Sequence, residues 1–365
     1  MLNFAPTEEQ EEIRTLAYTL AVEQLRPEAR SAEKRGGITL ELMHTLMQTG
    51  ITTPYPESLG GSGAIEAVTY ALIAEELGFG DGGLAMNIIG SLMGPVAVLL
   101  AGDENQQGHY ITPFSDEQEG YMRYGSFAFA EHTGGYSLEE ISATARKEGE
   151  HYIVNGTKRD VIHGGHAHRR VVLLRLEGTT GTAGLVLLSI PGQPQGMHIV
   201  TDMEKLGLVA APSVSFRFEH VAVPATDMLG QSGQSGVIRA ATLYQILRAG
   251  VACGMARASL EYAMHYAKER IAFGRPIVSY QGIAFLVAEM AMKLDAARLL
   301  LWRAAASWDR GAEIDTLVRE AATAQHQAIE IAKSATIDAV QILGGAGFMQ
   351  DHPVEMWMRN AAAME

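Results

Sequence analysis

The chain is almost free of cysteine: Cys253 is the only one among 365 residues. An internal disulfide and a thiolate metal cluster are thereby excluded, and a reducing, cytoplasmic setting is expected. Cys253 lies in the apolar run Val251-Ala252-Cys253-Gly254-Met255 and reads as a packed core thiol rather than a nucleophile. Aromatic residues are scarce, at 7%, whereas Ala, Leu, Glu and Met crowd both ends of the chain and favour helix. Positive charge is in deficit, 28 Lys and Arg against 42 Asp and Glu, for a formal charge of −14. Such a field repels phosphodiester backbones and anionic lipid, so neither nucleic acid nor a membrane surface is an expected partner. A small anionic ligand is still allowed, because helix N-termini and local basic residues bind phosphate even in acidic proteins. No apolar run reaches bilayer length, the longest being Gly94 to Gly102, and Met1 to Glu12 lacks the basic and apolar regions of a signal peptide.

What is present divides by hydrophobic period into three zones. Residues 1–120 read as helical. Thr7 with Gln10 forms a capping box for a helix running toward Leu25, where Pro27 interrupts it. Further helices are expected from Thr39 to Thr49, Ile65 to Leu77 and Ile88 to Leu100, punctuated by glycines at 60–63 and 78–83. Residues 121–230 shorten to strand-like runs. Tyr152-Ile153-Val154 precedes a turn at Asn155-Gly156, and Val171 to Leu176, Leu185 to Ile190, Met197 to Val200 and Val214 to Phe218 follow. From about Gly233 through 365 the period returns to that of a helix, in three long stretches: Ile238 to Arg270, Gln281 to Asp309 and Ile314 to Leu343. Short connections predict an antiparallel bundle, and the breadth of its apolar faces predicts burial against other subunits.

Four features could carry chemistry. Glu131-His132-Thr133-Gly134-Gly135-Tyr136-Ser137 is a glycine-containing polar turn whose backbone N–H groups could meet a ligand, or an ordinary loop. Arg270 to Pro276 ends one long helix before Gln281 opens the next. Arg270 suits a phosphate and Phe273 a planar ring, but an arginine there also satisfies the helix dipole. Gln341 to Phe348 carries Gly344, Gly345 and Gly347 after the third long helix, as a C-cap or as open backbone for a pyrophosphate. His163, His166 and His168 have no supporting carboxylate or thiolate motif and read as a solvated loop rather than a zinc site.

Together these segments resemble the acyl-CoA dehydrogenase family over nearly the whole chain. Glu131 to Ser137, then Asn155-Gly156-Thr157-Lys158 and Val161 to Gly165, is similar to the family's TEPxxGSD and NGxKxxITNG segments. Phe218 to Pro224 with Leu229-Gly230 resembles FxxVxVPxxxxLG, and Arg270 to Ile277 with Gln281 resembles RxxFGxPIxxxQ. Gln341 to Phe348 with Pro353-Val354-Glu355 and Met358-Arg359-Asn360-Ala361 resembles QxxGGxGF…PVExxxRDA. The resemblance implies a mostly α fold with a middle β-barrel or sandwich, a C-terminal four-helix bundle and a dimer-of-dimers assembly. It implies FAD, with Phe129, Ala130, Gly135, Tyr136, Asp160 and Ile162 at its ring. Arg270, Phe273, Gln281, Gln341, Gly344 and Gly345 of a neighbouring subunit would hold its adenine diphosphate end. The implied reaction is oxidation of an acyl-CoA to the 2-enoyl thioester in fatty acid metabolism, with an electron-transferring flavoprotein as acceptor.

The departures fall at the chemistry. Ala130 and Ile162 replace hydroxyl residues at the ring, and Asp160 replaces an aromatic. Tyr136 stands for a serine that helps bind the coenzyme, and Thr242 and Gln245 for an Asp and an Arg of the coenzyme-binding helix. The resemblance places the catalytic carboxylate three residues past Glu365, or in a minority of members at the position of Tyr244, so no catalytic residue is assigned. Three expectations stay open: a natural chain that continues into the missing helix; a base-lacking partner subunit of a heteromeric dehydrogenase; or a non-catalytic or acyl-carrier-protein-directed relative.

Overall fold

The computed structural model describes residues 5–63, 65–201, 204–230 and 235–365. Gly233 and the first four residues lie outside this set. The Thr7–Gln10 capping box is formed, with both reciprocal hydrogen bonds, and it opens α1 (Glu8–Leu20). Pro27 does not stop the helix. A π turn at Ala21–Leu25 widens the spiral, the Arg26 N–H donates to the Ala21 carbonyl, and α2 (Arg26–Arg35) starts with Pro27 in its first turn, where no N–H is missed.

After α3 (Leu40–Gln48), α4 (Ala67–Gly80) and α5 (Gly82–Ala101) are almost wholly buried. α5 begins six residues before Ile88 because Asp81, in extended backbone, caps it through the Leu84 N–H at 2.8 Å. By length and composition α5 could cross a membrane, unlike the run Gly94 to Gly102 considered alone, but 89% of its apolar window is buried inside the protein. It is apolar all round because it is surrounded by protein. α4 is capped from the far end of the chain: both Asp309 carboxylate oxygens accept from it, from Ala67 N–H at 2.7 Å and Val68 N–H at 3.0 Å. α6 (Glu104–Ile111) completes this region.

The middle of the chain forms one sheet: β1 (Phe127–Ala128), β2 (Thr144–Glu148), β3 (His151–Ile162), β4 (Arg169–Leu176), β5 (Leu185–Pro191), β6 (Met197–Thr201), β7 (Ser213–Pro224) and β8 (Met228–Leu229). Its order is β6-β7-β3-β2-β4-β5-β8, with β1 parallel to β4. The turn expected at Asn155-Gly156 is absent. β3 runs through both residues with a register shift against β7, and a Cβ on Gly156 would stand 2.6 Å from the Ala143 Cα. The hairpin turn lies earlier, between paired Glu148 and His151, where Gly149 takes φ 57°.

The last region is α7 (Ser235–Glu269), a hairpin of β9 (Ile271–Ala272) and β10 (Arg275–Pro276), α8 (Gln281–Asp309), α9 (Ile314–Leu343) and α10 (Val354–Ala362). Asn360, on α10, joins all three regions: its Oδ1 accepts from the Leu208 N–H at 2.7 Å and its Nδ2 donates to Asp81 Oδ2 at 3.3 Å.

Candidate active site

The polar turn after β1 is held from beneath by a buried ion pair. Lys158, fully buried on β3, donates to Glu131 at 2.7 Å and to the Phe129 carbonyl at 3.1 Å. Glu131 also accepts from the N–H groups of Ser142 at 2.8 Å and Ala143 at 3.1 Å. Burial drives the Lys158 ammonium down to about 8 despite the facing carboxylate. Burial raises Glu131, but Lys158 and the Ser142 hydrogen bonds outweigh it and hold the carboxyl below its ordinary range. Gly134 and Gly135 then turn the chain at φ 79° and 55°. Two of the N–H groups expected to face a ligand close on the turn instead: Glu131 donates to Gly135 at 3.0 Å and Ser137 to Gly134 at 2.9 Å.

That turn presents Tyr136 to α7. The Tyr136 carbonyl accepts from Gln245 Nε2 at 2.9 Å and its hydroxyl from Arg248 Nη1 at 2.5 Å. The Arg248 guanidinium also lies 3.8 Å from the ring centroid. Phe129 and Tyr244 meet the same ring edge-on, at 5.3 Å and 6.1 Å between centroids. Burial pushes the Tyr244 phenol far above its ordinary range. Thr242, one turn away, is fully buried and donates to the Ile238 carbonyl of its own helix at 2.8 Å. It is not among the residues of the groove described next.

A groove of about 920 Å³ opens between Gly134–Glu139 and α9, with Gln245 in its wall and Arg319, Gln325 and His326 opposite. Beyond Tyr136 lies a second cavity of about 40 Å³, bordered by Asp160, Ile162, Lys205, Arg248 and Glu365. Lys205 donates to the Leu208 carbonyl at 3.0 Å and the Ser213 hydroxyl at 3.2 Å; burial pulls it down to about 8 against the opposing charge of Asp160. Ile162 packs where α5 has Gly90, whose added Cβ would fall 2.4 Å from Ile162 Cγ2. Ala130 is buried, and its carbonyl accepts from the Arg159 N–H at 2.9 Å.

Arg270, Phe273, Gln281, Gln341, Gly344 and Gly345 are all exposed. The first three lie at the α7–α8 connection and the others at the end of α9, which antiparallel packing returns to the same end of the bundle. Phe273 is 97% exposed at the tip of the β9–β10 hairpin, and a Cβ on Gly344 or Gly345 would meet nothing within 4 Å. His163 is not in a polar loop: buried, it stacks on Tyr124 at 4.4 Å and lies 3.0 Å from the Asn87 carbonyl, and burial lowers it to about 4. His166 and His168 are exposed.

Arg248 and Lys205 were not singled out from the sequence. For Arg248 a signal existed, a lone charge within Ile246-Leu247-Arg248-Ala249. For Lys205 there was none.

Three family models cover the chain: the N-terminal, middle and C-terminal domains of acyl-CoA dehydrogenase, over residues 7–118, 126–221 and 231–365. An acyl-CoA dehydrogenase of Bacillus subtilis is 32% identical over 97% of this chain and 93% of its own length. A 3-(aryl)acrylate reductase of Clostridium sporogenes is 31% identical over the same shares. The structure of butyryl-CoA dehydrogenase from Megasphaera elsdenii superposes with a TM-score of 0.85 at 28% identity, covering 100% of this chain and 95% of that one.

Proposed function

The chain belongs to the acyl-CoA dehydrogenase family, and from that premise we propose that it oxidises the Cα–Cβ bond of an acyl-CoA to the 2-enoyl thioester, with FAD as cofactor. The observation that carries this reading is the groove. One wall is the turn after β1, the other is α7 and α9, and in that wall Gln245 meets Tyr136, 109 residues away. A groove of about 920 Å³ beside a smaller cavity, with Tyr136 bordering both, suits a ligand with an extended polar arm and a compact reactive end.

The residues fit FAD best at its nucleotide end. A fully exposed phenylalanine, a guanidinium and two glycines with open space around them match a planar base and a diphosphate. Arg270, Phe273, Gln281, Gln341, Gly344 and Gly345 would hold that end in a neighbouring copy. Phe129, Ala130, Gly135, Tyr136, Asp160 and Ile162 would border the ring, with apolar surface where side-chain hydroxyls are lacking. When bound, FAD supplies a two-electron acceptor for the hydride from Cβ.

The chain's own groups position the thioester. Gln245 Oε1 and Arg248 Nε are buried without a hydrogen-bond partner, leaving one acceptor and one donor for the substrate's amide and carbonyl groups. Tyr244 keeps its proton at neutral pH and does not serve as base. The two carboxylates at the inner cavity are paired already, Asp160 with Arg159 at 3.4 Å and Glu365 with Lys333 at 3.1 Å, and we assign the base to neither. The reading extends to a dimer or tetramer of this chain, an electron-transferring flavoprotein as acceptor and a cytoplasmic role in fatty acid metabolism.

Purified protein loaded with FAD should lose its flavin absorbance when an acyl-CoA is added without oxygen, and the 2-enoyl thioester should be found by mass spectrometry. Flavin that binds but stays oxidised with every acyl-CoA would overturn the activity and leave the cofactor. Protein that takes up no flavin would overturn both.

A further inference from the structure

The buried face of α9 is built from alanine, leucine and isoleucine with three polar exceptions, Glu320, Gln325 and Thr336. Two of them have partners inside the protein. Glu320 accepts from Arg303 Nε at 2.8 Å, and Thr336 donates to the Ala332 carbonyl at 2.8 Å. Gln325 is 8% exposed, and its Oε1 has no hydrogen-bond partner among the described residues. An unpaired buried amide oxygen is a standing cost to the fold, and an aliphatic side chain would sit among these alanines without it.

The groove of about 920 Å³ gives the exception a purpose. Gln325 lines it from α9 and Gln245 from α7. Gln245 is 3% exposed, and its Oε1 is likewise unpartnered. Its Nε2 is taken by the Tyr136 carbonyl, which ties it to the residues given to the flavin ring. The buried lining residues are Leu138, Gln245, Gln325, Ile329 and Met364, none of them charged. The charges nearest Gln325 in sequence, on Arg319, His326 and Glu330, belong to exposed residues. The depth of the groove is therefore neutral and presents one primary amide from each helix. That chemistry matches a ligand arm made of secondary amides, each with one N–H donor and one carbonyl acceptor.

We propose that Gln325 is a substrate-binding residue that reads the pantetheine arm of the acyl-CoA: its side-chain amide pairs with the arm's amide farther from sulfur, and Gln245, tied to Tyr136, pairs with the nearer one. The inference rests on the acyl-CoA reading above.

The test is calorimetric binding of three non-oxidisable S-butyl thioethers to the FAD-loaded protein: that of coenzyme A, that of pantetheine, which keeps both amides, and that of N-acetylcysteamine, which keeps only the nearer one. It reads binding alone, independently of turnover. Wild type should bind the pantetheine thioether about tenfold or more tighter than the N-acetylcysteamine thioether, the scale of one buried hydrogen bond. Gln325→Met has the same length without the amide, and it should weaken the pantetheine and coenzyme A thioethers by about that factor while leaving the N-acetylcysteamine thioether unchanged. Gln325→Leu should act in the same way. Both variants remove an unpaired buried amide, so neither should melt below wild type without ligand, whereas loss of a purely structural glutamine would lower the melting temperature. Wild type that binds the two short thioethers equally, variants that keep the wild-type ratio, variants that weaken all three probes equally, or variants that melt well below wild type would each overturn the role of Gln325 while leaving the acyl-CoA reading intact. Failure of wild type to bind the coenzyme A thioether would overturn both.

Discussion

Asp81 is fully buried at the start of α5, and burial raises its carboxyl to about 6 although the Leu84 and Gly83 N–H groups pull it down. An acid whose folded pKa lies above its unfolded value stabilises the fold below the unfolded value, and the contribution is lost as pH rises through about 6. Asp81→Asn keeps an oxygen for the Leu84 N–H and cannot ionise. Its amide nitrogen replaces the oxygen that accepts from Asn360, a loss common to both pH values, so we expect Asp81→Asn, measured against wild type, to be roughly 2 kcal/mol more favourable at pH 7 than near pH 4. Urea unfolding at the two pH values checks this, and an equal effect at both would refute it. The Lys158–Glu131 pair responds differently, since each ion is the other's main compensation. Lys158→Met strands a buried carboxylate and should cost about 3–5 kcal/mol, whereas Lys158→Met with Glu131→Gln, which removes the charge and keeps an oxygen for the Ser142 and Ala143 N–H groups, should cost clearly less. Thermal melts of the single and double variants decide it.

Where α4 crosses α7, the two helices meet through glycines. A Cβ on Gly254 would stand 2.1 Å from the Glu75 carbonyl oxygen, and one on Gly78 would stand 2.4 Å from that of Val251. Alanine is the better helix former by about 1 kcal/mol, but overlap with backbone costs about 1–3 kcal/mol or more because backbone cannot rotate aside. Gly254→Ala should therefore lower stability, whereas Gly108→Ala on α6, with nothing within 4 Å, should raise it slightly. A denaturant midpoint for each variant tests the two signs. The same elements show how local signals are overruled. Asn155-Gly156 is a strong turn signal, but its glycine serves close approach to Ala143. Pro27 should end a helix, but a π turn absorbs it. The cap of α4 comes from Asp309, so the sequence around Glu66 gives no sign of it.

At the scale of the molecule, α8 carries Phe285, Met292 and Leu299 at seven-residue spacing, each at least half exposed, and Ile337 and Phe348 are exposed on the same C-terminal region. A stripe of this kind on a helix is the mark of a surface meant to be covered. We expect light scattering to give a mass of two or four chains, and Phe285→Glu with Met292→Glu to reduce it and weaken FAD retention. A wild-type monomer would contradict the proposal. The mostly helical fold with a middle sheet was legible because motif order and a change of hydrophobic period survive any local irregularity. The site was legible only in part. Tyr136 and Gln245 could be named, but their hydrogen bond spans 109 residues, and the clasp of Arg248 on Tyr136 and on the Met364 carbonyl depends on packing that no local pattern encodes. Asn360 has a further consequence. Each of its two polar atoms is committed to a different region, Leu208 on one side and Asp81 on the other, so neither region can open without stranding a buried amide. Calorimetry should accordingly show one heat-absorption peak for the whole chain, and in Asn360→Leu that peak should broaden or split as the regions begin to melt independently.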